Sequence, residues 1–234
     1  MTLTTRLVFL TLLLPLTAGA SELQPFALTY AVNYSIAKGD STLALSADGN
    51  GHYTLQSTTT ANGVAKLMAP DPVTERAEFK INSDGSVQAL SYELNDGSDK
   101  EDEDINIAYD WDAGKAIIES NKGEEQKPIT PETMDQFIMQ AAAIASVQAG
   151  KEAFSFLQLK PGRDIDRYEY KKVGEETLKT DIGEVDTLKY SRGKPGSEKL
   201  TYFWFAPEHS YAPIRLERIK KGKTVFKGVI ESFE

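Results

Sequence analysis

The chain has 234 residues, with 26 Lys and Arg against 35 Asp and Glu, a formal net charge of −9 and no cysteine. That balance opposes nucleic-acid binding, which needs basic surface to neutralise phosphates, and it gives little attraction to anionic lipid headgroups. Without cysteine there is no disulfide framework, no thiolate site and no acylated cysteine to serve as an anchor, so a buried core must hold the fold, and a chain of this length can bury one.

Residues 1–20 have the pattern of a signal peptide. Arg6 gives a short positive region, Leu7 to Leu14 an apolar run, and Ala18-Gly19-Ala20 a small-residue cleavage site. The run is too short to anchor in a bilayer. Cleavage after Ala20 would leave residues 21–234 as a single β-rich domain with no transmembrane segment. A leader combined with an absence of cysteine points to the bacterial periplasm.

The first strand is clean. Phe26, Leu28, Tyr30, Val32, Tyr34 and Ile36 alternate with small or polar residues, so one face is buried and the other wet. Lys38-Gly39-Asp40 is expected to turn, and Leu43, Leu45 and Ala47 continue a second strand. Asp48-Gly49-Asn50-Gly51 is a strong hairpin signal, because Gly and Asn tolerate positive φ. Tyr53 and Leu55 begin the return. Residues 61–72, with Asn62-Gly63, Val64, Leu67, Met68, Pro70 and Pro72, read as a loop with a small apolar tip, since two prolines exclude a central strand. Such a tip can act as a lid or plug, or simply tuck onto the core.

Strands resume through Phe79 and Ile81, then Leu90, Tyr92 and Leu94, then Ile105, Ile107, Tyr109 and Trp111. Asn121 to Pro128 reads as a polar linker that delivers a helix over about 131–149. Thr130 suits the N-cap and Pro131 the first helical position. Glu132 and Asp135 place negative charge at the positive end of the dipole. Met134, Phe137, Ile138, Ala141, Ile144 and Ala145 share one face. Met139, Ala142, Ala143 and Val147 widen the apolar stripe almost around the rod, so the helix should be covered on more than one side. Gly150 is a C-terminal stop. Beyond it, Tyr168 and Tyr170 mark a strand with Gly174 as a break. Thr180 to Gly183 and Arg192 to Gly196 read as hairpin loops. Tyr202 and Trp204 lie on one face of a central strand, Phe203 and Phe205 on the other. Ile214 and Leu216 alternate with Arg215 and Glu217, and Lys220-Lys221-Gly222-Lys223 turns into a final strand, Thr224 to Phe233.

Runs of strands without intervening helices predict antiparallel pairing, and a sheet this long must curl or close. The expected fold is mainly β (α+β): a single strongly curved antiparallel sheet or open barrel of about 11–12 strands packed around one long helix. A transmembrane barrel is the rival; the apolar helix and strand charges such as Arg215, Glu217 and Lys227 oppose it.

The C-terminal third resembles a family of exported bacterial proteins, domain of unknown function 3108. The residues that carry the resemblance are Thr180-Asp181-Ile182-Gly183-Glu184-Val185-Asp186-Thr187-Leu188-Lys189, then Tyr202-Phe203-Trp204-Phe205-Ala206-Pro207, then Ala212-Pro213-Ile214-Arg215-Leu216-Glu217 and the close at Glu231-Ser232-Phe233. Tyr30 to Gly39 and Gly63 to Pro70 agree more loosely, and the helix falls where the family has a helical segment. These are turn and core residues. The resemblance implies a fold and transfers no catalytic residue.

Chemistry is sparse in the sequence. His52 and His209 stand alone, too few for a zinc site without cysteine. There is no G-x-S-x-G elbow, and no phosphate-binding glycine loop follows a strand. The acidic run from Asp96 to Asp104 has carboxylates for calcium but lacks the D-x-D-x-D-G spacing; a solvated hairpin protecting a strand edge is the plainer account. No catalytic residue, cofactor or metal is therefore assigned. The expectation is a non-catalytic periplasmic binding or envelope-assembly factor holding an apolar ligand, a lipid or lipoprotein acyl chain, between sheet and helix. Phe137, Met139 and Trp204 would border the groove, with Val64, Leu67 and Met68 at its mouth. The alternatives are a protein–protein scaffold of the cell envelope and a hydrolase of cell wall or polysaccharide.

Overall fold

Strands form where apolar side chains alternate. The computed structural model describes residues 22–35, 37–67, 70–98 and 103–234; the expected leader (1–20), Ile36 and Met68 lie outside the described residues. In chain order the elements are β1 (Phe26–Tyr34), β2 (Ala37–Ala47), β3 (His52–Asn62), β4 (Val73–Ile81), β5 (Val87–Asn95), β6 (Ile105–Asp110), β7 (Lys115–Ser120), β8 (Gly123–Pro128), β9 (Thr133–Met134), α1 (Ile138–Gln148), β10 (Ala153–Gln158), β11 (Asp166–Thr180), β12 (Gly183–Gly193), β13 (Lys199–Ala206), β14 (Ala212–Lys220) and β15 (Lys223–Phe233).

Among the described residues these strands make one sheet of 15, not the expected 11–12. The extra strands leave little trace in sequence. β8, Gly-Glu-Glu-Gln-Lys-Pro, has no apolar side chain because it is an edge strand open to water, and β9 is two residues long. Pairing is antiparallel except between β9 and β10.

The topology explains the curvature. β1 and β15 lie at the centre, and two meanders run outward from them, β1 to β8 on one side and β15 to β9 on the other. β8 and β9 thus occupy opposite edges, yet only residues 129–132 separate them. A span that short joins the two edges only if the sheet curls round on itself. Side chains then stitch the gap. Lys127 donates to the carbonyls of Lys160 and Arg163, and the Gly162 N–H donates to the Glu125 carboxylate. No ladder joins β8 to β9, so the wall stays open. At the centre, Ala27 and Glu234 exchange both backbone hydrogen bonds, at 2.9 and 2.8 Å.

The helix is inside the curl, against β4, β5 and β10. It is buried nearly all round, including Ile138, Met139, Ala142, Ile144 and Val147, as its wide apolar stripe predicted. Its end follows the Schellman pattern: Gly150 (φ 73°) donates to the Val147 carbonyl and Lys151 to Ser146. Its start differs from the sequence expectation. Residues 131–137 are not helical, because Thr130 makes a turn with Thr133 (Thr133 N–H to Thr130 carbonyl, 2.8 Å). The backbone around Met134 instead pairs with β10, and Leu159 N–H donates to the Met134 carbonyl at 2.9 Å. Asp135, not Thr130, supplies the cap.

Two glycines act otherwise than expected. Gly39 is no turn residue; it lies within β2, where a Cβ would sit 2.4 Å from the Thr60 carbonyl oxygen. The chain reverses earlier, with Ser35 at φ 56°. Gly174 is no break but lies at a bulge inside the continuous β11, where the register with β12 shifts. The loop tip forms a short 3-10 turn, Gly63–Leu67, that is not tucked onto the core; Val64 and Leu67 are 80% and 84% exposed.

Candidate functional site

The inward face of a curled sheet should be apolar throughout, and mostly it is. Phe26, Leu28, Leu43, Leu45, Leu55, Phe79, Ile107 and Ile118 are all buried. Among the described strands, small polar side chains such as Ser41, Ser57 and Thr201 also face inward, and three inward positions carry a charge. On β4 the series Phe79, Ala77 continues to Glu75. On β12 the series Leu188, Tyr190 continues to Arg192. On β14 the series Ile214, Leu216 continues to Arg218. Each places a charge where the alternation calls for an apolar side chain. That mismatch is a sequence signal, visible once the inward register of each strand is followed to its end.

These charges line two cavities on the concave side. The larger, about 530 Å³, includes Glu75, Tyr92, Asp135, Gln136 and Gln158, with Lys160 and Arg163 also on its wall. The smaller, about 250 Å³, includes Phe137, Gln140, Arg192, Phe203, Arg218 and Phe226. Glu75 and Gln136 belong to both, so the cavities adjoin there. The larger falls in the range of small-molecule pockets, roughly 300–1,000 Å³, and the smaller adds to it where the two adjoin.

The acidic end is held by hydrogen bonds. Glu75 accepts from the Tyr92 hydroxyl at 2.8 Å and from the Ser57 hydroxyl at 3.4 Å; burial pushes the Glu75 carboxyl above its ordinary range, against the pull of those two bonds. Asp135 is fully enclosed. One carboxylate oxygen accepts the N–H groups of Phe137 and Ile138, both at 2.8 Å, and the other accepts from Tyr109 at 3.1 Å. Burial raises its pKa to about 6, and the hydrogen bonds resist the rise. Burial likewise pushes the Tyr92 and Tyr109 hydroxyls up, with the neighbouring carboxylates adding to it. Asp135 is therefore committed to starting α1, which is what a side chain two and three residues before free N–H groups does at an N-cap.

The basic end has no carboxylate partner; burial pushes the Tyr170 hydroxyl up, and its neighbour Arg192 pulls the other way by charge and hydrogen bonding. Among the described residues no carboxylate lies within ion-pair distance of Arg192 or Arg218, and the Nε of each is buried without an acceptor. Arg192 is only 6% exposed. Its guanidinium lies 5.1 Å from the Tyr168 ring centre and 5.8 Å from that of Phe203. Arg218 lies 5.8 Å from the Phe226 ring.

Of the residues expected to border an apolar groove, Phe137 lines the smaller cavity, beside Tyr92 at 6.2 Å. Met139 is fully buried in the core. Trp204 faces the other side of the sheet: its cross-strand neighbours are Lys189 and Arg215, each with its charge 4.6 Å from the indole, and its ring N–H donates to Glu176. Charged side chains thus cover the aromatic residue that sequence alone assigned to a groove. Val64 and Leu67 stand in solvent on their turn, and Met68 lies outside the described residues.

Of the acidic run, Asp96 and Asp104 turn their carboxylates on their own loop, while residues 99–102 lie outside the described residues. Asp96 accepts the N–H groups of Ser98 and Glu103, and Asp104 accepts that of Asp96. Among the described residues no three His, Asp or Glu side chains converge as a metal site. His209 packs edge-on to Phe233 at 4.7 Å and forms no dyad with Ser210. No described helix is long and apolar enough to cross a membrane.

No curated protein matches this chain in sequence. In structure it is similar to a β-barrel-like protein of domain of unknown function DUF1849 from Brucella abortus, with a TM-score of 0.57 at 9% identity, over 92% of this chain and 98% of that one; the likeness is one of fold. The family described as protein of unknown function (DUF3108) matches residues 26–227, the span of the sheet from β1 into β15 and of the helix within it, and the chain belongs to that family.

Proposed function

We propose that this protein is a non-catalytic binding or assembly factor of the bacterial envelope that holds an amphiphilic ligand inside its curled sheet. The observation that carries the proposal is the pair of adjoining cavities on the concave face, walled by aromatic and aliphatic side chains with a few charged groups among them. That mixture is typical of sites that enclose a small molecule and orient it. The leader-like residues 1–20 support export to the periplasm. Hydrolysis is disfavoured by the same geometry: of the four carboxyls lining the larger cavity, Glu75, Glu103, Asp104 and Asp135, Asp135 has both oxygens committed to the helix start and Tyr109, Glu75 is held by Tyr92 and Ser57, and Asp104 accepts the Asp96 N–H.

Native mass spectrometry of protein exported in a bacterial host tests this. The expected result is a co-purifying adduct, with 1:1 uptake of a fluorescent fatty acid by the stripped protein. A homogeneous unliganded mass together with no uptake would end the proposal. A second reading, a scaffold docking through the exposed Val64 and Leu67 tip, is favoured by the 80% and 84% exposure of those side chains. In that case in vivo crosslinking from position 64 captures one protein partner, and Leu67→Ser abolishes the capture without changing ligand uptake.

A further inference from the structure

Arg192 and Arg218 flank Thr201 from either side. Arg192 pairs in register with Thr201 on the neighbouring strand, and Thr201 pairs with Arg218 on the next. Two strand spacings put the two arginine backbones about 10 Å apart on the same inward face. Both side chains line the smaller cavity. A guanidinium is the group best shaped to grip a planar or tetrahedral oxyanion, through parallel N–H donors, and a buried charge without a counter-ion is costly to the fold that keeps it. Glu75 lines the same cavity but is held by Tyr92 and Ser57 and reaches neither arginine.

We infer that Arg192 and Arg218 form a clamp for the anionic head, carboxylate or phosphate, of the ligand enclosed by the sheet. The surroundings agree with an anion. Lys160 and Lys199 are both held below the usual lysine range, by partial burial first and then by the cations around them, Arg192 among them. Positive charge is thus gathered at one end of a chain whose net charge is −9. The remaining wall, with Val32, Leu43, Phe137, Leu216 and Phe226, suits an apolar tail. The inference rests on the carrier proposal for the tail but not for the head.

Binding of hexadecanoate, hexadecyl phosphate, hexadecanol and inorganic phosphate is measured on the wild type, Arg192→Gln/Arg218→Gln and Arg192→Lys. The expected result is that one or both chain anions bind at least about tenfold tighter than hexadecanol, and that the double variant binds all three chains alike. Arg192→Lys, which keeps charge but loses the fork, falls between. The ranking of hexadecanoate against hexadecyl phosphate identifies the headgroup. The unliganded double variant is expected to melt at or above the wild-type temperature, since one buried and one half-buried cation without a carboxylate partner are gone; a purely structural pair of arginines would lower it. Equal binding of anions and alcohol by the wild type overturns the clamp and leaves the carrier. Inorganic phosphate stabilising the wild type but not the double variant, with no chain bound, upholds the clamp and overturns the carrier. No binding of any probe overturns both.

Discussion

The Asp135 carboxyl caps α1 from a position where burial disfavours its charge, so its pKa rises from the ordinary 3.8 to about 6. The sign of the pH effect follows. Below the unfolded value the group is neutral in both states and exacts no penalty. As pH rises through the folded value, the unfolded chain is already ionised while the folded one resists, and stability is lost. A rise of roughly two pKa units corresponds to about 3 kcal/mol. Glu75, also raised, adds in the same direction. Asp135→Asn keeps an oxygen for the Phe137 and Ile138 N–H groups and leaves Tyr109 as acceptor in place of donor. In urea denaturation from pH 4 to pH 8, the wild type is expected to lose ground against Asp135→Asn up to about pH 6 and to hold a constant deficit above it. Parallel profiles would refute the buried-charge account. Asp135→Ala, which strips the cap, is expected to lose about 1–2 kcal/mol even at pH 4.

At the scale of elements, α1 owes its stability to being enclosed. Its apolar residues leave no wet face, and Ile144 is 0% exposed. Ile144→Ala is expected to cost 2–5 kcal/mol, the range for a buried aliphatic side chain cut to alanine, whereas Val64→Ser on the exposed turn should stay within about 0.5 kcal/mol; chemical denaturation curves separate the two. The helix interior and its stop at Gly150 were legible in sequence, as were the hairpins at Gly49 to Gly51 and Lys221-Gly222, where positive φ leaves a compositional mark. The start of α1 was not. Thr130-Pro131 carries the signals of a cap, but a parallel pairing with β10, far along the chain, claims the next residues. The β8 edge was hidden for the opposite reason: a strand wet on both faces has no alternation to show. Trp204 misled because cation–π cover buries an aromatic ring on a charged face, which apolar periodicity does not anticipate. Arg192, Arg218 and Glu75 were within reach of sequence, since each breaks an inward series of known register.

For the whole molecule, the open curled sheet follows from chain order more than from any one contact. The centre pairs the first strand with the last, and each outward meander is built from neighbours in sequence. Besides the link through residues 129–132, side chains such as Lys127 and Glu125 tie β8 to the far side of the wall, and among the described strands no ladder joins β8 to β9. The interior is consequently a lined space and not a sealed core.

The exchange of hydrogen bonds between Ala27 and Glu234 places the beginning and end of the folded chain side by side. Where the backbone is open matters little to the fold: joining Glu234 to Glu22 through about eight flexible residues and reopening the chain at the exposed Gly49-Asn50 tip is expected to yield a circular permutant with the same circular-dichroism spectrum and the same ligand uptake. Such a permutant would move both termini away from the central strand pair, freeing the middle of the wall for a fusion partner or a surface tether.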